Sequence, residues 1–236
     1  QQKESNLAFR KKNKKIKLDA RFFKKLILRV LIKLKIIYRD DINAQEKRYK
    51  FNLNLIEHSL ENILKKKQNK KIIFVPLHRQ PELSTSLFGG NYEDQILIIE
   101  RLSIFSKDNW IVVVKENPFQ TSFQRDKFFF KRLNYLKNVF FVDSTINSKS
   151  ILDISDLTAS VAGTIGFETL IQNKKTLVFG NAWYKNCHGV LKVNDKTTDE
   201  EILSFASSNI EKSNPSNPIF CLIHTKGTPT LCIFIY

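Results

Sequence analysis

The stretch that most constrains the fold of this chain is residues 157–184, which read LTASVAGTIGFETLIQNKKTLVFGNAWY. A strand-length run at 157–161, ending in an apolar residue, precedes a turn with two glycines, a short helical segment at 167–172 and a second buried strand at 176–179. Strand, helix and strand in this order close as a right-handed crossover between parallel strands. The turn at 163–166 is then expected at the carboxyl end of a strand and the amino end of a helix, where free amide hydrogens favour an anion.

The same alternation extends through residues 71–212. Apolar runs of strand length occur at 72–75, 110–114, 139–142, 157–161, 176–179 and 190–193. Helical segments are predicted at 91–106, 123–136, 148–152, 167–172 and 198–210. Alternating strands and helices predict an α/β fold: a Rossmann-like parallel sheet with helices on both faces.

Charge separates the first third of the chain from this sheet-forming part. The net charge is +16, and 22 of the 39 lysines and arginines, but 7 of the 23 acidic residues, fall within residues 1–71. We therefore interpret 1–70 as a basic helical arm or linker, the remnant of a preceding domain, with amphipathic helices at 18–38 and 43–68. The nearly neutral remainder argues against nucleic-acid binding by the sheet domain.

The first of these basic helices carries five cations among its apolar residues and is a poor transmembrane span. Two interpretations stay open for residues 10–38. They form a helix on an anionic membrane surface, or a helix packed on a neighbouring domain with its lysines in water. We find no secretory signal, so we expect a cytoplasmic protein, with the inner face of the membrane as a candidate attachment site.

The ends of the chain and its cysteines add two expectations. The chain contains no methionine, so we expect a fragment or a processed product. Residues 213–236 form a tail that begins with an SNPSNP linker, and for the apolar residues 219–236 the sequence does not decide between an edge strand and a non-native end. Cys187, Cys221 and Cys232 lack CxxC spacing, which predicts neither a disulfide framework nor a structural zinc site.

Ligands of open parallel sheets bind outside the carboxyl ends of the strands, so the loop at 76–90 is a candidate site. It is long, rich in hydroxyl groups and ends in two glycines, which suits a phosphate. Glu82 is the candidate catalytic residue, as an acid, a base or a ligand to a sugar hydroxyl. Alternatively, Pro81 and Glu82 only shape the loop. The candidate ligand-binding residues in this loop are Gln80, Ser84, Thr85, Ser86, Gly89 and Gly90.

Two further loops follow strands on the same edge. The first reads Lys115-Glu116-Asn117-Pro118, and Pro118 holds Asn117 extended, so that its backbone could read the edge of a nucleobase. The alternative is an ordinary strand exit with a solvated Lys–Glu pair. The second contains Ser144, which is either a donor ligand or part of a capped turn.

The fourth loop is the glycine turn itself. Gly163, Thr164 and Gly166 are candidate phosphate contacts, and Glu168 stands one residue too late for a capping box with Thr164. Its carboxylate could instead accept hydrogen bonds from ribose hydroxyls; the alternative is a surface glutamate near a positive helix end. Trp183, after the next strand, could line the same pocket.

Several motifs are absent from the sequence. There is no P-loop, GxGxxG, HExxH or GxSxG motif, and no Asp-x-Asp pair. We therefore predict no metal site and no bound cofactor. His58, His78, His188 and His224 are scattered, and we interpret each as structural rather than as a catalytic base.

The segments PLHRQPELSTSLFGG, YEDQ, WIVVVKENP, VAGTIGFETL and LVFGNAWY occur in this order across residues 71–190. Together they resemble the capsule polysaccharide biosynthesis family, which is similar to the 3-deoxy-manno-octulosonic acid (Kdo) transferases of bacterial surface glycans. Two positions depart from the family pattern. Asn117 stands where the family usually has the histidine of Lys-Glu-His-Pro, and Phe167 stands where it often has tryptophan.

The resemblance implies a glycosyltransferase of the GT-B type, of which this chain is the C-terminal, donor-binding half. The implied donor is a nucleotide sugar, with a CMP-linked ulosonic acid such as Kdo favoured, and the implied acceptor is a glycan or glycolipid. In this scheme the turn at 163–166 takes the phosphate, Glu168 the ribose, residues 117–118 the base and residues 80–90 the sugar.

Two alternatives remain beside this interpretation. A sugar-nucleotide epimerase shares the architecture but would convert a donor without any acceptor. A non-catalytic basic module, binding membranes or nucleic acid through residues 1–71, would show salt-sensitive binding that is lost with residues 1–40.

Overall fold

The computed structural model describes residues 29–30, 39–105, 109–122, 125–208, 219–225 and 228–234. The chain divides into two compact units, with the boundary between Gln45 and Glu46. The helix predicted at 18–38 lies outside the described residues, apart from Arg29 and Val30, which are helical. All strands given below belong to the second unit.

Helices and strands alternate as the sequence predicts. The helices are α1 (Arg39–Ile56), α2 (Leu60–Lys67), α3 (Leu83–Ser86), α4 (Ile96–Phe105), α5 (Lys127–Asn134), α6 (Ser148–Ile154), α7 (Ile165–Ile171) and α8 (Asp199–Ser207). The strands are β1 (Glu57–His58), β2 (Lys71–Pro76), β3 (Trp110–Lys115), β4 (Val139–Val142), β5 (Leu157–Ser160), β6 (Lys175–Val178), β7 (Val190–Lys192), β8 (Ile219–Thr225) and β9 (Thr228–Phe234).

Strands β1 to β7 form one parallel sheet in the order β1-β4-β3-β2-β5-β6-β7. Without the two-residue β1, this is the Rossmann order, in which the first strand lies beside the fourth. The predicted Rossmann-like sheet is therefore confirmed. The strand order reverses between β2 and β5, which pair through Ile73 with Leu157 and Phe74 with Thr158.

Both faces of the sheet are covered, because successive side chains of a strand point to opposite faces. On one face Ile73 and Val75 pack in a core with Ile99 of α4 and Phe130 of α5. On the other face Ile72, Phe74 and Val113 pack with α2 and α6, through Ile63 and Ile151. The carboxyl edge of the sheet is consequently held between two layers of helices.

Three helix boundaries differ from the predictions. The helix expected at 43–68 is interrupted by β1, which pairs with Phe141 and Val142 of β4, and Ser59 then caps α2 by accepting the amide hydrogen of Asn62. Helix α5 starts later than expected because the Asp126 side chain accepts two amide hydrogens at its N-terminus. Helix α4 also starts late, since a 3₁₀ turn at Gly90–Glu93 precedes it.

The end of the chain forms a separate element. β8 and β9 pair with each other in an antiparallel, two-stranded sheet. The domain limits at residues 70 and 212 stay a prediction. Cys187 is buried and disulfide-bonded, which the cysteine spacing did not predict. Among the described residues, no helix has the length and apolar character that a membrane crossing requires.

Candidate functional site

A hydrogen-bonded pair bridges the loops on either side of the point where the strand order reverses. His78 follows β2 and Ser160 ends β5, and the His78 Nε2 lies 3.1 Å from the Ser160 Oγ. Burial lowers the pKa of His78, and the charge of Glu82 partly offsets this. In sheets of this type the crevice between such loops is where ligands bind. The pair therefore lies at the base of the candidate site.

The turn at Gly163 is fixed from two sides. Its amide hydrogen is donated to the Ser160 Oγ over 3.1 Å, and its carbonyl accepts the hydroxyl of Tyr184 over 2.5 Å. Tyr184 is fully buried, and burial raises the pKa of its phenol. A Cβ atom at Gly163 would lie 2.8 Å from the His78 Cε1, so a larger residue would displace the imidazole. The backbone of this turn is thus held in one conformation.

Thr164 and Glu168 are exposed beside this turn. Thr164 is the N-cap of α7, yet its side chain makes no capping hydrogen bond. The Glu168 carboxylate has no hydrogen-bond partner within the described part of the chain, so both side chains remain available to a ligand. Gly166 has a packing role, because a Cβ atom there would overlap the Tyr184 hydroxyl.

Two glutamine side chains hold the start of the loop after β2. Gln95 accepts the amide hydrogen of His78 over 2.7 Å and donates to its carbonyl over 3.0 Å. Gln120 does the same for Gln80, over 2.7 and 3.1 Å. Each glutamine side chain makes the two backbone hydrogen bonds that a neighbouring strand would make within the sheet. The sequence analysis did not assign these roles, although Gln95 ends the YEDQ segment.

A buried ion pair within the loop after β3 also contacts the loop after β2. The Arg125 Nε lies 2.7 Å from the Glu116 Oε2, and both side chains are 1% exposed. Arg125 also donates to the Gln80 Oε1 over 2.5 Å, while Glu116 accepts the amide hydrogen of Asn117 over 2.9 Å. The structure thus places Gln80 and Glu116 as positioning residues behind the crevice. Arg125 was missed because nothing in its own segment signals burial.

The other residues of the Lys-Glu-Asn-Pro segment differ in exposure. Lys115 is 5% exposed, and burial lowers the pKa of its ammonium group, opposed by the charge of Glu116. Asn117 turns back on its own backbone, with its Oδ1 accepting the Phe119 amide hydrogen over 2.9 Å. The Asn117 amide hydrogen is donated to Glu116, and its carbonyl accepts the amide hydrogen of Gln120 over 2.9 Å, so both backbone groups already have partners and the reading of a base stays a prediction. Pro118 is exposed.

The loop after β4 contacts the end of β1. Ser144 donates its amide hydrogen to the Glu57 Oε1 over 3.1 Å, and burial raises the pKa of that carboxyl group. Asp143 accepts from the amide and the hydroxyl of Thr145, which lowers the pKa of Asp143. Asp143 and Thr145 form the capped turn that was the alternative interpretation for this loop.

The hydroxyl groups of the loop after β2 point to structural roles. The Thr85 hydroxyl is buried and donates to the Glu82 carbonyl over 2.9 Å, and the Ser86 hydroxyl donates to Glu93 over 2.9 Å. The Ser84 side chain lies outside the described residues. Gly89 and Gly90 are required by the backbone: a Cβ at 89 would overlap the Thr85 carbonyl, and Gly90 has a φ of +53°.

Trp183 offers an aromatic surface near the glycine turn. Its ring centroid lies 4.6 Å from that of Phe167 and 5.3 Å from that of Tyr184, and the residue is 49% exposed. Thr164 and Glu168 thus lie at the start of α7 beside the Gly163 turn, Trp183 packs on Phe167 of the same helix, and His78 and Glu82 lie on the loop after β2. Within the described residues, no group of three His, Cys, Asp or Glu side chains is placed to hold a metal ion.

Three solved structures are similar to parts of this chain. KpsC of Thermosulfurimonas dismutans, titled a β Kdo 2,7 transferase, matches at 15% identity and a TM-score of 0.40, covering 85% of this chain and 61% of that one. The KpsC structure titled a β Kdo 2,4 transferase matches at 14% identity and 0.43, covering 80% and 60%. A UDP-N-acetylglucosamine 2-epimerase described for Listeria monocytogenes matches at 13% and 0.41, covering 66% and 42%.

These likenesses concern the fold alone, and the chain spans about three fifths of the length of the KpsC chains. No curated protein sequence matches the chain significantly. The sequence pattern of one family, described as "Capsule polysaccharide biosynthesis protein", matches residues 37–201. This match covers the whole parallel sheet and most of the chain, and it confirms the resemblance found in the sequence motifs. The chain therefore belongs to the capsule polysaccharide biosynthesis protein family.

Proposed function

We propose that this chain is the donor-binding half of a glycosyltransferase that acts in capsule biosynthesis. It would transfer a sugar from a nucleotide donor to a glycan or glycolipid acceptor. One observation carries the proposal: the Gly163 turn, fixed by Ser160 and Tyr184, faces the crevice where the strand order of a Rossmann-like sheet reverses.

In this proposal, different residues around the crevice contact different parts of the donor. Gly163 and Thr164 contact the phosphate, and the free Glu168 carboxylate accepts hydrogen bonds from the ribose hydroxyls. Residues 115–118 and Trp183 lie on the nucleoside side, and Glu82 on the loop at 80–90 faces the sugar. Fixed backbone dipoles would stabilise the leaving phosphate without a metal ion. Glu82 is the residue that we propose as the catalytic group.

The donor that we favour is a CMP-linked ulosonic acid such as Kdo. The support for it is family membership together with the motif resemblance across residues 71–190. Because acceptors of surface-glycan enzymes include glycolipids, we also propose that residues 10–38 attach the protein to the inner face of the membrane. Co-sedimentation with anionic vesicles, compared between the full chain and a variant that lacks residues 1–38, tests the attachment.

Titration calorimetry of the full chain without added metal tests the donor proposal, comparing CMP, UDP, GDP and ADP. Selective binding of CMP is the expected result. Selective binding of UDP would contradict the ulosonic-acid donor and favour the epimerase alternative, which turnover of a UDP-sugar without acceptor would then identify. A chain that binds none of the four nucleotides, while remaining folded, would contradict the donor-binding role itself.

A further inference from the structure

His78 contacts no part of the donor in the proposed function, yet its imidazole lies against the Gly163 turn. Its Nε2 lies 3.1 Å from the Ser160 Oγ, and that same oxygen accepts the Gly163 amide hydrogen over 3.1 Å. A continuous chain of hydrogen bonds therefore runs from the imidazole to the backbone of the turn. It links the two loops that flank the crevice, one after β2 and one after β5.

The His78 backbone is held in place where the imidazole meets the turn. Gln95 holds the His78 backbone at both its amide and its carbonyl. A Cβ atom at Gly163 would lie 2.8 Å from the His78 Cε1, which shows how closely the ring approaches the turn. A change of charge on His78 therefore acts directly on Ser160 and on the Gly163 turn, which the ring approaches closely.

The hydrogen-bond pattern indicates which ring nitrogen carries the hydrogen in the neutral form of His78. Since Ser160 Oγ already accepts from Gly163, its own hydroxyl hydrogen needs an acceptor, and Nε2 is within reach at 3.1 Å. The neutral ring then carries its hydrogen on Nδ1. When Nε2 takes a proton from solvent, it becomes the donor to Ser160. The serine hydroxyl hydrogen is then free to turn towards a ligand.

The surroundings of His78 favour the neutral form until an anion arrives. Burial lowers the pKa of His78, and Glu82 on its own loop is the charged group that opposes this effect. The other elements packed against it supply uncharged groups: Ser160 from β5, the Gly163 backbone, and Gln95 before α4. Tyr184, which is hydrogen-bonded to the Gly163 carbonyl, stays neutral because burial raises the pKa of its phenol. An anion in the crevice would therefore meet an imidazole ready to gain a proton.

We propose that His78 is a proton-linked positioning residue of the donor site, which takes up one proton from solvent when a nucleotide phosphate binds beside the Gly163 turn. The gained proton turns Nε2 into a donor to Ser160, and the released serine hydroxyl hydrogen reaches the phosphate. This inference rests on the proposed donor-binding function and adds to it a residue and a pH dependence. Affinity for the nucleotide then rises as the pH falls, because the bound state holds more protons than the free state.

His78→Gln is the matched variant, because a glutamine amide can hydrogen-bond Ser160 but does not titrate between pH 5.5 and 8. CMP affinity is measured for both proteins across this range, with calorimetry in buffers of different ionisation enthalpy to count protons. In the wild type we expect affinity to rise by up to about tenfold per pH unit as the pH falls, with net proton uptake. The phosphate of CMP itself titrates near pH ~6, and the difference between the two proteins removes this contribution.

The outcomes separate the two proposals. Equal proton uptake by wild type and His78→Gln would overturn the role of His78 while leaving donor binding intact. Failure of folded wild type to bind CMP or the other nucleotides would contradict the donor-binding proposal instead. His58→Gln is the control, since burial also lowers the pKa of His58 but its ring packs on Phe140, away from the turn. We expect it to leave proton uptake unchanged.

A second measurement does not require a nucleotide. The ¹H NMR titration of His78, assigned by its loss in His78→Gln, is recorded with and without inorganic phosphate. A rise in the pKa of His78 on addition of phosphate is the expected result. An unchanged titration curve at saturating phosphate would overturn the proposal.

Discussion

The hydroxyl of Tyr184 donates a hydrogen bond over 2.5 Å to the carbonyl of Gly163, which stands 21 positions earlier in the sequence. Tyr184 follows β6, and Gly163 follows β5. A fully buried ring at the end of one strand thereby fixes the turn at the end of its neighbour. The site is shaped by contacts between adjacent loops, and these contacts can be removed one at a time.

Tyr184→Phe removes this hydrogen bond and leaves the ring in place. The Gly163 carbonyl then lacks its buried partner, so we expect the free energy of unfolding to fall by about 1–2 kcal/mol. Nucleotide affinity should fall as well, because the turn is no longer held from both sides. Urea denaturation and calorimetry measure the two effects. Tyr135→Phe is the control, since that ring is 73% exposed; an equal loss in both variants would contradict the role of Tyr184.

Gly163→Ala tests the close approach of His78 to the turn. The added methyl group would lie 2.8 Å from the His78 Cε1 and 3.1 Å from the Ser160 Oγ, so either the imidazole or the turn must shift. We expect nucleotide affinity to fall by about tenfold or more, which corresponds to roughly 1.4 kcal/mol. Asn181→Ala, in the exposed loop after β6, is the control. Unchanged affinity in folded Gly163→Ala would show that the phosphate lies elsewhere.

Much of this arrangement could be predicted from the sequence, because it depends on local pattern. Strand-length apolar runs predicted the strands of the sheet, and helical spacing predicted the helices between them. Two glycines marked the turn between β5 and α7. The two-residue β1 could not be predicted, since Glu57 and His58 become a strand only by pairing with β4. The same holds for residues that act across long stretches of chain. Arg125 contacts Gln80, 45 residues away, and no periodicity records such a contact.

Glu168→Ala tests the ribose contact. The carboxylate is exposed beside the turn and has no partner among the residues that the structure describes, so its loss should not disturb the fold. We expect nucleotide binding to weaken by about 1–3 kcal/mol through lost hydrogen bonds to a charged group. Glu61→Ala is the control, because Glu61 forms an exposed pair with Lys65 on α2. Calorimetry that finds equal affinity in folded Glu168→Ala and in the wild type would refute the assignment.

The buried pair of Arg125 and Glu116 predicts a large effect on stability. Removal of one partner leaves an uncompensated charge at 1% exposure, so we expect Arg125→Met to lower the free energy of unfolding by about 3–5 kcal/mol. Arg132→Met is the control. Its pairs with Asp94 and Glu100 are partly exposed, and such pairs contribute about 0–1 kcal/mol each. Similar losses in both variants, measured by urea denaturation, would contradict the argument from burial.

Glu57 and Asp143 predict opposite dependences of stability on pH. Burial raises the pKa of Glu57, so its charged form destabilises the folded protein at neutral pH, and this penalty disappears as the pH falls below the unfolded value of about 4.3. Glu57→Gln should therefore stabilise the protein at pH 7. Its amide oxygen can still accept the Ser144 amide hydrogen. The gain should vanish at low pH.

Asp143 has the reverse sign. Hydrogen bonds from Thr145 lower the pKa of Asp143, so its charged form contributes stability at neutral pH that is lost as the pH falls through the folded-state pKa. Asp143→Asn should destabilise the protein at pH 7 and have little effect in acid. Urea denaturation of both variants and the wild type between pH 3 and 8 measures the two curves. If both variants were more stable than the wild type at pH 7, or both less stable, the prediction of opposite signs would be wrong. The mutual repulsion of the two carboxylates, rather than burial of Glu57 and hydrogen bonding of Asp143, would then determine the free energy of unfolding.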